Sequence, residues 1–149
     1  MSTNEEIQTL TDFATNVIQE SGDIALKYFR TNLDISNKQI GGKFDPVTLA
    51  DNEIEEFIRR KILESYPGHT VIGEEAGETR GTEAFKWLID PIDGTRGFVA
   101  GSPMWGTLLG LMEGDDCVLG LMNQPFVKES YVGSQEGAFI LNESGKTQI

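Results

Sequence analysis

The sequence predicts an α+β fold, with two N-terminal helices packed on a mostly antiparallel sheet. Three observations predict it. Apolar residues recur at helical spacing through the first part of the chain. Short apolar runs separated by turn residues fill the remainder, and 17 glycines among 149 residues suit that turn-rich half. A length of 149 residues is enough for one domain with its own core, and no linker or repeat divides it.

Taken in order, residues 4–30 read as a helix, because Ile7, Leu10, Ala14, Val17, Ala25 and Tyr28 fall mostly at three- and four-residue steps. Gly22 interrupts it at a cost of about 1 kcal/mol against Ala. The polar "TNLDISNKQIGGKFDP" predicts a short strand or hairpin leading into a loop. A second helix is predicted over 47–65, with Ala50, Ile54, Ile58 and Ile62 on its apolar face and "YPG" as its stop. Strands follow in "HTVIGEE" and "FKWLID", then two around the turn "EGDD" and two around "SQEG".

Charge and composition exclude several functions. The formal net charge is −12, which argues against nucleic acid, since phosphate backbones are held by clustered Lys and Arg. Cys117 is the only cysteine, so no intrachain disulfide can form, as suits a reducing compartment. The first residues carry no basic start followed by an apolar run, and nothing approaches the ~18 apolar residues of a membrane span. The expectation is a soluble, cytoplasmic protein with no membrane partner.

Familiar catalytic groups are missing. His69 is the only histidine and lies in the turn "PGHTV", so it is expected at the surface or at the start of a strand. A cysteine phosphatase needs Arg six residues after its Cys, and that position is Asn123. The "GKT" at 145–147 would need the first glycine of a phosphate loop at position 140, which is Ile140. No Gly-x-Ser-x-Gly elbow is present.

Carboxylates remain. Glu74 and Glu75 follow one apolar run, and Asp90 and Asp93 interrupt another, "WLIDPIDGTRGF". A solvated turn accounts for "GEE" alone. Asp90 ends a run expected to be buried, where an unpaired carboxylate is expensive. A divalent metal compensates such a set better than the nearby Arg96, and oxygen-only donors point to Mg²⁺ over Zn²⁺. Strand alternation would send Asp90 and Asp93 to opposite faces, but Pro91 and Gly94 break it, so both can converge while the Ile92 carbonyl becomes a further donor. A helix starting at "GTRGF" would offer the Gly94 and Thr95 N–H groups to an anion. Metal-holding carboxylates beside a phosphate-ready helix end suit metal-assisted phosphoryl hydrolysis. The Asp-x-Asp-x-Thr spacing of an aspartyl-phosphate nucleophile does not fit, because these acids lie three apart with Pro91 between them.

In that order and spacing, "DPVTLAD", "GEE" and "WLIDPIDGT" resemble the inositol monophosphatase-like family of Mg²⁺-dependent, lithium-sensitive phosphatases. The resemblance implies that Glu74, Asp90 and the Ile92 carbonyl hold one metal, and that Asp90 and Asp93 share a second. Glu75 is the less defined member of its pair. Asp51 and Thr95 resemble the pair that orients the attacking water, Glu74 joining them in catalysis, although Thr48 to Asp51 also reads as a helix capping box. Lys43 and Asp45 fall on a loop that in the family helps with a further metal. Gly94, Thr95 and Arg96 are the substrate-side candidates, Arg96 reading equally well as an exposed helix residue. "GSPMWGTL" resembles the histidinol-phosphate phosphatase branch, ahead of inositol monophosphate, fructose bisphosphate and 3′-phosphoadenosine nucleotides as substrate. Trp105 reads as core packing. The family carries a second domain with a "WD" motif that is not found here, so residues 1–149 are expected to form the N-terminal metal-binding domain alone. Weak metal binding, little turnover, and association with a second copy or a complementing C-terminal half are the corresponding expectations.

Overall fold

A computed structural model describes residues 1–31 and 46–149. Helix α1 (Asn4–Tyr28) starts where the Thr3 hydroxyl accepts the Glu6 N–H at 3.1 Å, with Glu5 and Glu6 favourably placed against the helix dipole. It stops two residues earlier than expected: Phe29 turns extended and buries its ring among Phe98, Trp105 and Phe126. Gly22, costly for helix formation, has a packing reason. A Cβ there would lie 2.8 Å from Pro125, so its absence lets α1 press onto the sheet. Helix α2 (Pro46–Ser65) opens on a proline, whose missing N–H costs nothing in a first turn. The strand or hairpin expected in "TNLDISNKQIGGKFDP", as well as Lys43 and Asp45, lies outside the described residues.

Eight strands follow: β1 (Thr70–Gly73), β2 (Gly77–Thr79), β3 (Phe85–Asp93), β4 (Gly106–Glu113), β5 (Asp116–Gln124), β6 (Glu129–Ser134), β7 (Gly137–Asn142) and β8 (Gly145–Gln148). A short helix, α3 (Thr95–Ala100), stands between β3 and β4. One sheet takes them all, in the order β2-β1-β3-β4-β5-β6-β7-β8. Every neighbouring pair is antiparallel except β1 and β3, which run parallel. The fold is therefore α+β. Strands β2 and β8 were not anticipated, because both are short, polar and exposed at the sheet edges, where no apolar alternation marks them.

Helices α1 and α2 cover one face. Ile18, Ile54, Ile58 and Ile62 are fully buried against Trp87, Leu109, Leu111 and Leu119, each such side chain contributing about 1.5–3 kcal/mol over its exposed state. The opposite face carries Leu88, Leu108, Met122 and Tyr131 around an in-register row of Gly110, Gly120, Gly133 and Ala138. Leu88 on that face is 40% exposed. Among the described residues no helix is long and apolar enough to cross a membrane.

His69 does stand at the start of β1, but it is buried rather than superficial. Its Nδ1 accepts the Trp87 indole N–H at 3.0 Å, Glu83 lies 3.4 Å from its Nε2, and the Tyr66 ring stacks 4.8 Å away. Cys117 is an exposed residue of β5. Trp105 is core, as expected, although its indole nitrogen is buried without a partner.

Candidate active site

Parallel pairing of β1 and β3 builds the site. Both strands end at the same edge, and the register sets Gly73 beside Ile89, so the chain leaves β1 into Glu74 next to Asp90. The antiparallel β3–β4 register then breaks. Asp90 opposes Leu108 and Asp93 opposes Gly106, so three steps on β3 match two on β4, which is a β-bulge. Pro91 is tolerated there because a bulge needs no ladder hydrogen bond from it, and its carbonyl accepts the buried Thr107 hydroxyl at 2.8 Å. The bulge realises the break in alternation expected from the sequence: Ile92 points inward and Asp93 is exposed.

Asp90 is half-buried, and its Oδ1 is buried without a hydrogen-bond partner. Burial first, then the charges of Glu74, Asp93 and Glu75, push its carboxyl up to about 6. Burial, Glu55 and Glu74 raise Glu75 in the same direction. Four carboxylates thus repel across one sheet edge. Among the described residues no three metal-type side chains already stand at holding distances. The donors are nonetheless of the kind a hard cation takes: all oxygen, with one buried oxygen unpartnered and like charges that a cation would relieve.

Gly94 closes the strand in the left-handed region (φ 84°), where only glycine is comfortable, and a Cβ there would meet the Met104 carbonyl at 2.6 Å. Thr95 opens α3, its hydroxyl 3.4 Å from the Ile92 carbonyl. The N–H groups of this first turn have no partners within the helix. Arg96 is exposed on α3. Asp51 lies half-buried on α2, which packs across β1 and β3.

Glu55 was not anticipated. It is 1% exposed, and its carboxylate accepts the Glu75 N–H at 2.9 Å and the Ala76 N–H at 2.7 Å. Its signal in the sequence is a charge among Ile54, Ile58 and Ile62, four residues after Asp51 and four before Arg59.

A bulged strand presenting two aspartates, flanked by a parallel neighbour that leads into two glutamates, makes a cluster of carboxylates at one end of the two strands. Residues 6–148 match the model of the inositol monophosphatase family, and the chain belongs to that family. It is 40% identical to the bifunctional phosphatase IMPL2, chloroplastic, of Arabidopsis thaliana, over 76% of this chain and 32% of that protein. It is 34% identical to a histidinol-phosphatase of Chlorobaculum parvum, over 88% of this chain and 50% of that one. Among solved structures, an inositol monophosphatase from Zymomonas mobilis superposes with a TM-score of 0.78 at 31% identity, covering 96% of this chain and 53% of that one. The chain spans a third to about half the length of these relatives.

Proposed function

We propose that the chain is the metal-binding part of a Mg²⁺-dependent phosphomonoester hydrolase in which water attacks phosphorus directly. The observation that carries this reading is Asp90: a carboxylate with a buried, unpartnered oxygen, pushed up to about 6 by burial and three acidic neighbours. Glu74, Asp90, the Ile92 carbonyl and Asp93 would hold the metal, with Glu75 and the loop residues Lys43 and Asp45 as further candidates. The bound metal supplies a lowered pKa for water and charge stabilisation for the leaving oxygen. Asp51 takes the proton of the attacking water, with the Thr95 hydroxyl relaying and orienting. The N–H groups of Gly94 and Thr95 bind the phosphate, and Arg96 lies at the substrate rim. The P–O ester bond breaks, the alcohol leaves with a proton, and inorganic phosphate remains.

Histidinol phosphate is the first-ranked substrate, supported by "GSPMWGTL" and by the histidinol-phosphatase relative. Inositol monophosphate is second, supported by a relative of Mesembryanthemum crystallinum named inositol monophosphatase and 30% identical. A 3′-phosphoadenosine nucleotide is third. The reading includes a partner, either a second copy or a complementing C-terminal half, on the open sheet face around Gly120. In a reading of another class, the chain is a non-catalytic module that assembles through that face. A phosphate-release screen on the three substrates, with Mg²⁺, of the chain alone and with a C-terminal half, tests both. Release only with the half supports the first, and release with neither leaves the module. Strong turnover by the chain alone removes the need for a partner.

A further inference from the structure

The turn that carries Glu74 and Glu75 is held from beneath. It links β1 to β2, with Gly73 opposite Gly77, and three residues, Glu74, Glu75 and Ala76, make the bend. Gly77 closes it at φ 69°, in the left-handed region that favours glycine. Such a bend with two adjacent glutamates has no packing of its own, since both side chains are exposed. Its fixed points are two backbone N–H groups, of Glu75 and Ala76, both donated to the Glu55 carboxylate at 2.9 and 2.7 Å.

Glu55 is in turn locked. Arg59, one helical turn on, reaches its Oε2 from Nη2 at 3.4 Å. The same guanidinium donates to the Val71 carbonyl at 3.1 Å, the Thr79 hydroxyl at 2.8 Å and the Gly77 carbonyl at 2.7 Å, thereby gripping both arms of the hairpin. Gly73 leaves the room: a Cβ there would stand 2.1 Å from Glu55 Oε1. A buried carboxylate with an ion pair and two charge-assisted N–H bonds fixes geometry more firmly than a solvated turn does. Asp51 and Glu55 share one face of α2, so one helix presents both the proposed water-orienting acid and the anchor of the glutamate turn.

We infer that Glu55 is a positioning residue, which fixes the Glu74–Glu75 turn at the height of Asp90 and so sets metal affinity without touching the metal. The inference rests on the metal-centre reading above. The test uses Glu55→Gln, which keeps shape but turns an amide N–H₂ toward a backbone N–H, and Gly73→Ala, which displaces the carboxylate and leaves its charge. Glu64→Gln, exposed on the same helix, is the control. Two readouts apply: amide exchange at Glu75 and Ala76 in the metal-free chain, and Mn²⁺ affinity by calorimetry. In folded Glu55→Gln and Gly73→Ala, the two amides exchange at least about tenfold faster and Mn²⁺ binds about tenfold more weakly, the scale expected of groups that orient ligands. The control moves neither. Unchanged Mn²⁺ affinity in either folded variant, or unchanged protection of both amides, overturns the inference. Wild-type binding no tighter than that of Asp90→Asn instead overturns the metal reading, and the exchange result then still decides whether Glu55 holds the turn.

Discussion

The two ends of β3 lie beside the same neighbour, β4, yet are built on opposite terms. At the Phe85–Trp87 end, His69 and Trp87 satisfy one another, Glu83 and Tyr66 close the cluster, and both residues are buried. At the Asp90–Asp93 end, a buried oxygen has no partner and like charges gather around it. One end is finished by the chain itself, while the other leaves a buried carboxylate oxygen unpaired. An edge of this second kind is where a fold spends stability on binding.

Breaking the finished end has the largest effect. Trp87→Ala is expected to cost about 3–5 kcal/mol, by cavity formation and by stranding the His69 nitrogen, in urea denaturation monitored by circular dichroism. Altering the unfinished end has the opposite sign. Asp90→Asn is expected to stabilise the metal-free chain by on the order of 1–2 kcal/mol, since a pKa unit corresponds to about 1.4 kcal/mol and partial exposure trims the full shift. Calorimetric Mg²⁺ binding should be lost in the same variant. Equal stability of variant and wild type would mean that Asp90 is not strained at all.

Acid sharpens the contrast. The Asp90 carboxyl is raised from 3.8 to about 6, so its ionisation penalises the folded state fully above pH 6 and is relieved as pH falls toward 4. His69 is lowered from 6.5, chiefly by burial, so its contribution is present at neutral pH and lost as pH falls through the lowered value. The stability advantage of Asp90→Asn should therefore be greatest near pH 7 and vanish near pH 4, in paired melting curves. Smallest of all, Gly120→Ala, whose Cβ would meet nothing on the open face, should stabilise the isolated chain by about 0.4–1 kcal/mol. Where a partner covers that face, the same substitution should weaken association in light scattering.

The sequence was most legible where physics is local. Helical periodicity located α1 and α2 to within two residues, and the Asp-Pro-x-Asp-Gly-Thr run announced a strand that breaks its alternation at a bulge. Pairing was not legible. Nothing in "HTVIGEE" says that β1 runs parallel to β3, yet that choice sets Glu74 beside Asp90. Glu55 was hidden for a related reason: its two N–H partners lie twenty and twenty-one residues away, on a hairpin whose second arm has no apolar pattern. His69 stands at a strand start, one of the two places expected, but its burial was not legible, because a polar residue after Pro-Gly usually stays in water. Here the indole of Trp87 lets it stay buried.

That indole has an optical consequence. The chain holds two tryptophans, Trp87 bonded to His69 and Trp105 with its backbone against Gly94. One fluorophore sits at the finished end of β3 and the other beside the loop expected to receive phosphate. Protonated imidazole quenches indole emission, so Trp87 is expected to dim in acid, and a ligand taken up beside Gly94 is expected to change the emission of Trp105. Two single-tryptophan variants would let each half of β3 be watched separately, without adding a label.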